Sequence, residues 1–227
     1  MIGVIVRTFA IGDIHGCHNA LLTLLGAVQP GPDDLLIFLG DYIDRGPASR
    51  EVVDTLLGLD QKCKAVFLRG NHEVMILDAR YNYEKSVFWL SYGGKEAVQS
   101  YGANPKALWQ SHIPSAHWKF FQETRRYFET DETIFVHAAV NTDLEMKDQP
   151  DEFLFWEDFT QIRKGHVSGK RIICGHTPQR SKEIANRGYA VCIDTGAVYG
   201  GWLTCLETGA GEWWQANDAG TIRSGRL

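Results

Sequence analysis

Residues 35–46 read Leu-Leu-Ile-Phe-Leu-Gly-Asp-Tyr-Ile-Asp-Arg-Gly, an apolar run that ends directly in a glycine and an aspartate. Such a short, wholly apolar run is typical of a buried strand in an α/β sheet. Four other apolar runs are each followed within three residues by an Asp, Asn or His, and they occupy residues 8–11, 65–68, 133–136 and 172–174. Five strands are therefore expected to place potential metal ligands at their carboxyl ends, the edge where open α/β sheets bind ligands.

The residues after these runs form five short motifs, which are Gly12-Asp13-Ile14-His15-Gly16, Gly40-Asp41-Tyr42-Ile43-Asp44-Arg45-Gly46, Gly70-Asn71-His72-Glu73, His137-Ala138 and Gly175-His176-Thr177. Asp13 and His15 lie two residues apart in an extended segment and project to the same side, so we expect them to bind one metal. Asp41 offers two carboxylate oxygens and is the expected bridge to a second metal. The other ligands of that metal are expected to be Asn71, His137 and His176.

This mixture of oxygen and imidazole donors without a thiolate indicates a reactive centre rather than a structural zinc site. We expect two divalent ions, with Mn²⁺ as the first choice and Fe or Zn as alternatives. Two ions about 3.5 to 4 Å apart suit phosphate ester hydrolysis, because they neutralise phosphoryl oxygens and make hydroxide available at neutral pH. For Glu73, which could also support the metal ligands, a favourable position at a helix N-terminus is explanation enough.

The first three motifs resemble the signature motifs of the phosphoprotein phosphatase family of calcineurin-like metallophosphoesterases. Residues 194–201, Asp-Thr-Gly-Ala-Val-Tyr-Gly-Gly, resemble bacterial members of that family. The resemblance implies an α/β fold in which two packed mixed β-sheets are flanked by helices, a four-layer αββα sandwich. It also implies a metal-bridging hydroxide that attacks phosphorus in line. His72 would then be the general acid, oriented by Asp44, and the expected substrate contacts are Arg45, Asn71 and Tyr199.

Details of the motifs bear on the substrate. Asp44 is present, whereas related symmetrical diadenosine tetraphosphatases often lack it, which favours phosphoserine or phosphothreonine in proteins together with small phosphomonoesters. Symmetrical dinucleoside tetraphosphate hydrolysis is the alternative, and a non-catalytic binding module is less favoured because no ligand is lost. Many relatives carry a second phosphate-binding arginine in a Trp-X-Arg-like segment, but residues 155–159 read Phe-Trp-Glu-Asp-Phe. A second clamp is therefore expected to be absent unless Arg163 replaces it.

The length of 227 residues, with 44% hydrophobic and 22% charged residues, predicts one domain spanning residues 1–227. Residues 79–130 are rich in aromatic residues on helical stretches, which predicts a helical insertion whose rings mostly fill a core. Beyond Arg171, short strands at 189–193, 202–207 and 212–215 are expected to form a meander that completes a second sheet.

The formal net charge of −5 and the absence of a Lys/Arg run argue against a nucleic-acid polymer as partner. No apolar run approaches the roughly 18 residues of a membrane span. Residues 1–11 are interpreted as a strand rather than a signal peptide, so we expect a cytoplasmic protein. The five cysteines are odd in number and form no CxxC pair, which predicts buried thiols. Cys17, a possible oxidation-sensitive neighbour of the metals, is better interpreted as a small helix-start residue.

Overall fold

The computed structural model describes residues 7–59 and 63–227. Strands and helices alternate along the first third of the chain: β1 (Thr8–Ile11), α1 (His18–Val28), β2 (Leu35–Phe38), α2 (Ser49–Leu57), β3 (Lys64–Phe67) and α3 (Asn71–Ala79). The three strands are parallel to one another, and β2 lies between β1 and β3. The part of the predicted first strand at residues 1–6 lies outside the described residues.

Helices dominate the segment that follows, as its sequence predicts. It contains α4 (Tyr83–Trp89), a kinked turn (Leu90–Gly94), α5 (Lys95–Ser100) and α6 (Ser115–Glu123). Its last residues are not helical, because Tyr127–Glu129 form a short strand, β4. Six large rings of this segment are buried in the same core cluster as α1 and α2, so these helices extend the main core instead of forming a core of their own. The rings of Tyr81, Tyr83, Phe88 and Tyr92 are exposed.

The remaining elements are β5 (Thr133–Val136), α7 (Asp151–Trp156), β6 (Arg171–Cys174), β7 (Ala185–Asn186), β8 (Ala190–Cys192), β9 (Leu203–Glu207), β10 (Glu212–Ala216) and β11 (Ile222–Arg226). One sheet has the order β11-β10-β9-β1-β2-β3, and the other has the order β4-β5-β6-β8-β7. The expectation that the last strands complete the second sheet was wrong for all but β8. Strands β9 and β10 join the first sheet, because β9 pairs antiparallel with β1.

Three apolar clusters define four layers. Between the sheets lie small and branched residues from both, including Ala10 and Ile37 from the first and Phe135 and Ile173 from the second. Alternate residues of the first sheet face α1, α2 and the helical segment, whereas those of the second face α7 and nearby turns. This alternation follows from the period of two along a strand. Two mixed sheets flanked by helices confirm the predicted fold class.

No helix within residues 7–59 and 63–227 combines the length and the apolar character that crossing a membrane requires.

Candidate active site

The loops after β1, β2, β3, β5 and β6 bring the predicted ligands together at one edge of the two sheets. Ligand atoms of His15, Asp41 and His72 all lie within 4.8 Å of one another, and so do those of Asp41, His137 and His176. Asp41 belongs to both groups and is almost fully buried. This is the arrangement expected of a carboxylate that bridges two ions.

Hydrogen bonds to the backbone fix how three imidazole rings face this centre. His15 Nδ1 lies 2.8 Å from the carbonyl oxygen of Ile43, and His137 Nδ1 lies 2.9 Å from that of Leu39. A carbonyl only accepts, so each of these nitrogens carries the proton and leaves an unprotonated Nε2 toward Asp41. Carbonyl bonds of this kind commonly orient metal-binding histidines.

The orientation of the third ring, that of His176, indicates that a cation fits between it and His137. His176 Nε2 donates to the carbonyl of Trp156 at 3.2 Å, so its Nδ1 is unprotonated. That atom lies 3.1 Å from the equally unprotonated Nε2 of His137, and two acceptors cannot bond to each other. Burial lowers the pKa of His137 to about 3 and that of His176 to about 4, so protonation does not resolve the contact near neutral pH. A metal ion between the two lone pairs does.

The amide of Asn71 shows the same pattern. The atom placed as its oxygen lies 3.1 Å from His137 Nε2 and 3.1 and 3.2 Å from the two carboxylate oxygens of Asp41, which are all acceptors. Either the amide is turned so that its nitrogen donates, or a cation lies among these atoms.

Asp13 stands slightly apart and accepts from the backbone N–H of His176 with both oxygens, at 3.1 and 3.0 Å. Burial, and then the neighbouring carboxylates of Asp194 and Asp41, raise the pKa of Asp13 well above its ordinary value. The donor set therefore fits divalent cations, which would offset this repulsion.

The backbone at the site is strained. Seven non-glycine residues among those described have a positive φ, and five of them lie here, namely His15, Asp41, Asp44, Arg45 and His176, with φ between 45° and 74°. Backbone strain of this kind clusters at functional sites, where the surrounding structure over-determines it. One such constraint is a close approach, because a Cβ on Gly70 would lie 2.1 Å from Asp41 Oδ1.

The predicted general acid and its partner form a fully buried pair. His72 Nδ1 donates to Asp44 Oδ2 at 2.6 Å, and its other nitrogen, Nε2, lies 4.0 Å from Asp41 Oδ2. That Nε2 atom has no hydrogen-bond partner among the described residues. Burial lowers the pKa of His72 to about 4 against the opposing effect of Asp41.

Arg45 also lies at the site, because its Nη1 is 2.5 Å from His15 Nε2 and its guanidinium carbon is 5.8 Å from the ring centre of Tyr199.

Three buried side chains support the site in ways that the sequence analysis did not assign. Glu73 accepts from the backbone N–H groups of Asp41, Tyr42 and Gly70, so it holds the loop after β2 in addition to lying in the first turn of α3. Trp89 donates from Nε1 to Asp44 Oδ2 at 2.6 Å. Asp194 is buried beside Asp13, and burial, with a contribution from Asp41, raises its pKa to about 7. Two of them had a signal in the sequence, namely Glu73 in the motif with Asn71 and His72, and Asp194 directly after the strand at residues 189–193.

The segment that lacks the second arginine lies beside the site. Trp156 ends α7 with its side chain 43% exposed, and its carbonyl oxygen is the partner of His176. The predicted substitute, Arg163, lines a surface cleft with Asn141 and Lys164, and none of the predicted ligands is among the described residues that line that cleft.

Comparisons with known proteins identify the family. The profile of the calcineurin-like phosphoesterases matches residues 6–214. Serine/threonine-protein phosphatase 1 of Salmonella typhimurium is 34% identical over 207 residues, covering 87% of this chain and 90% of that protein. An asymmetrical bis(5'-nucleosyl)-tetraphosphatase of Anoxybacillus flavithermus is 29% identical over 222 residues, with coverage of 87% and 88%. A crystal structure of a candidate diadenosine tetraphosphatase shares the fold, with a TM-score of 0.68, 20% identity and coverage of 100% and 96%. The chain belongs to the calcineurin-like phosphoesterase family.

Proposed function

We propose that this phosphoesterase hydrolyses phosphomonoesters with two bound divalent ions, and that its main substrates are phosphoserine and phosphothreonine in proteins. The observation that carries the proposal is the position of His72. Its Nε2 is buried, has no hydrogen-bond partner among the described residues and lies 4.0 Å from Asp41, while Nδ1 is held by Asp44. Burial lowers the pKa of this ring to about 4, and we propose that the carboxylate of Asp44 favours the protonated form, whose Nε2–H would donate to a poor alkoxide leaving group.

The proposed metal ligands are divided between two ions that share Asp41. His15 and Asp13 would hold one ion, and the second would be held by Asn71, His137 and His176. When bound, such ions lower the pKa of water and neutralise phosphoryl oxygens. Mn²⁺ is the first choice, because the donors are imidazole, carboxylate and amide oxygen. Chelation should abolish turnover and Mn²⁺ should restore it, and activity that survives exhaustive chelation would overturn the proposal.

Arg45 is the proposed phosphate-binding residue. Its guanidinium now lies against the lone pair of His15 Nε2. A cation held by His15 would need the same lone pair, so the N–H donors of Arg45 would then be available for phosphoryl oxygens. The ring of Tyr199, within cation–π distance of Arg45 and 55% exposed, is the proposed further contact with substrate.

Hydrolysis of dinucleoside tetraphosphates is the second candidate. The sequence analysis considered symmetrical cleavage, but the similar bis(5'-nucleosyl)-tetraphosphatase is an asymmetrical enzyme. Product analysis separates the two, because symmetrical cleavage gives two nucleoside diphosphates and asymmetrical cleavage gives a triphosphate and a monophosphate.

The deciding experiment compares phosphoserine and phosphothreonine peptides with diadenosine tetraphosphate, using the same purified, Mn²⁺-loaded protein. We expect the higher kcat/KM for the peptides. A clear preference for the dinucleotide would replace the first proposal by the second. His72→Asn should lower kcat for the peptides by about 10² to 10⁴-fold, the usual worth of general acid catalysis. His112→Asn, the same change at an exposed histidine, is the matched control and should leave kcat unchanged.

A further inference from the structure

Asp44 is held by two donors, and only one of them is the histidine already discussed. His72 Nδ1 and Trp89 Nε1 both donate to Asp44 Oδ2, each at 2.6 Å, and all three side chains are fully buried. The other carboxylate oxygen, Oδ1, has no partner among the described residues. The indole N–H is therefore one of the two bonds that define how this carboxylate is turned.

Trp89 is itself fixed from several sides. It ends α4, and its ring packs against that of Trp109 at a centroid distance of 4.8 Å. A second contact is with Gly94, where a Cβ would lie only 2.5 Å from the indole. The position of the indole is thus set by packing, independently of Asp44.

The same turn also reaches the next residue of the motif. The carbonyl oxygen of Gly93 accepts from the backbone N–H of Arg45 at 3.0 Å. Gly93 lies in the kinked turn that follows Trp89 and has φ of 109°. The helical segment thus contacts both Asp44 and Arg45.

We infer that Trp89 is a positioning residue, whose indole N–H orients Asp44 and through it the proton-donating ring of His72. The inference rests on the proposed function of the site. The terminal torsion of an aspartate side chain has no sharp preferred value. A carboxylate held by one hydrogen-bond donor can therefore rotate, whereas a carboxylate held by two donors cannot. A buried carboxylate that loses a donor is also less well stabilised in its charged form. Without the indole N–H, His72 is held less well in the orientation that proton transfer requires.

The test compares Trp89→Phe with Trp109→Phe. Trp109 is as deeply buried and stacks on Trp89, but its N–H donates to Ser86 rather than to the site. Both changes remove one indole from the same cluster, so both should lower the melting temperature. Only Trp89→Phe should lower kcat by different factors for substrates with different leaving groups, because only the indole of Trp89 acts on proton transfer.

For Trp89→Phe we expect kcat to fall at least about tenfold with phenyl phosphate, a part of the 10² to 10⁴-fold worth of a general acid. With para-nitrophenyl phosphate, whose leaving group needs little protonation, the fall should be several times smaller, and KM should change little for either substrate. When His72→Asn is already present, adding Trp89→Phe should not change the ratio of the kcat values for the two esters. Equal losses with both substrates, or the same discrimination in Trp109→Phe, would overturn the inference.

Two further measurements keep the inference testable if Trp89→Phe unfolds or if the enzyme acts on neither ester. Benzothienylalanine at position 89 replaces the N–H by sulfur, keeps the shape of the ring and should reproduce the discrimination. In the zinc-loaded, ¹⁵N-histidine-labelled protein, the Nδ1–H of His72 should give a slowly exchanging downfield signal in the wild type and in Trp109→Phe. That signal should broaden or disappear in the position-89 variants, and an unchanged signal would refute the positioning role. Inactivity of the wild type toward every ester refutes the proposed function alone.

Discussion

Replacing Glu73 by glutamine should destabilise the fold through the loop after β2 rather than through α3, in whose first turn Glu73 lies. Its Oε2 accepts from the backbone N–H groups of Asp41 at 2.8 Å and Gly70 at 2.9 Å, and Oε1 accepts from Tyr42 at 3.0 Å. A glutamine amide has one oxygen, so at least one of these N–H groups must face its NH₂ group. The least costly orientation sacrifices the bond to Tyr42.

The size of the effect follows from these bonds. A hydrogen bond to a charged group contributes about 1.5 to 3 kcal/mol, and the two surviving bonds weaken when the acceptor becomes neutral. One effect acts in the opposite sense. Burial, and then repulsion from Asp41, raise the pKa of Glu73 to about 8, whereas the three N–H groups lower it and favour the charged carboxylate. Removing that charge relieves part of the repulsion from Asp41. We therefore expect a net loss of about 2 kcal/mol, which corresponds to a fall in melting temperature of about 4 to 8 °C for a domain of this size.

The matched control is Glu51→Gln. Glu51 is an acidic residue in the first turn of α2 and is exposed, so it interacts with the helix dipole without holding a loop. An exposed carboxylate at a helix N-terminus contributes about 0.3 to 1 kcal/mol. Thermal unfolding followed by circular dichroism, with excess chelator so that metal binding does not contribute, compares the two variants. Equal shifts in melting temperature would refute the role assigned to Glu73 and restore the simpler dipole explanation.

Three other predictions concern single side chains. Asp41→Asn should abolish turnover and lower the bound metal measured by elemental analysis, because Asp41 contributes charge to both ligand groups, and two ions per chain with a normal rate would contradict this. Trp156→Arg should lower KM for phosphomonoesters roughly tenfold, since an added guanidinium bond to phosphate is worth about 1.5 to 3 kcal/mol, and a folded variant with unchanged KM would exclude it. Burial lowers the pKa of His117 despite its bond to Asp54, so its stabilising effect is complete above the unfolded value of about 6.5 and is lost as pH falls below it. The melting temperature of His117→Gln should consequently fall less between pH 7.5 and 5 than that of the wild type.

The sequence predicted the strands that carry the site because each one is a local pattern, an apolar run followed by a ligand type. It did not predict which sheet the last strands join. Alternating residues and turns indicate that residues 202–207 and 212–215 are strands, but pairing with β1 is decided by contacts between residues as far apart in sequence as Phe9 and Glu207. The same sequence pattern suits either sheet.

The supporting residues were missed for a related reason. A tryptophan in an aromatic helix is most often a core residue, and Trp89 is one, so its bond to Asp44 is visible only when the two segments are placed together. Glu73 has a sufficient local explanation at its helix N-terminus, which conceals its bonds to the loop after β2. Local rules identify the metal-binding types but do not identify the side chains that orient them.

The unfavourable free energy of the backbone and the acceptors at this site explains why the site lies at the junction of two sheets. Positive φ at residues such as His15, Asp41 and His176 costs on the order of 1 to 3 kcal/mol each, and buried acceptors that face one another add to this. A loop at the rim of a single sheet could relax by moving outward. Here His137, from the second sheet, donates to the carbonyl of Leu39 in the first, and Asp13, from the first, accepts from His176 in the second. Relaxing either loop breaks bonds made by the other. The two sheets therefore hold the donors in place before any cation arrives, so that metal binding relieves repulsion that folding has already imposed.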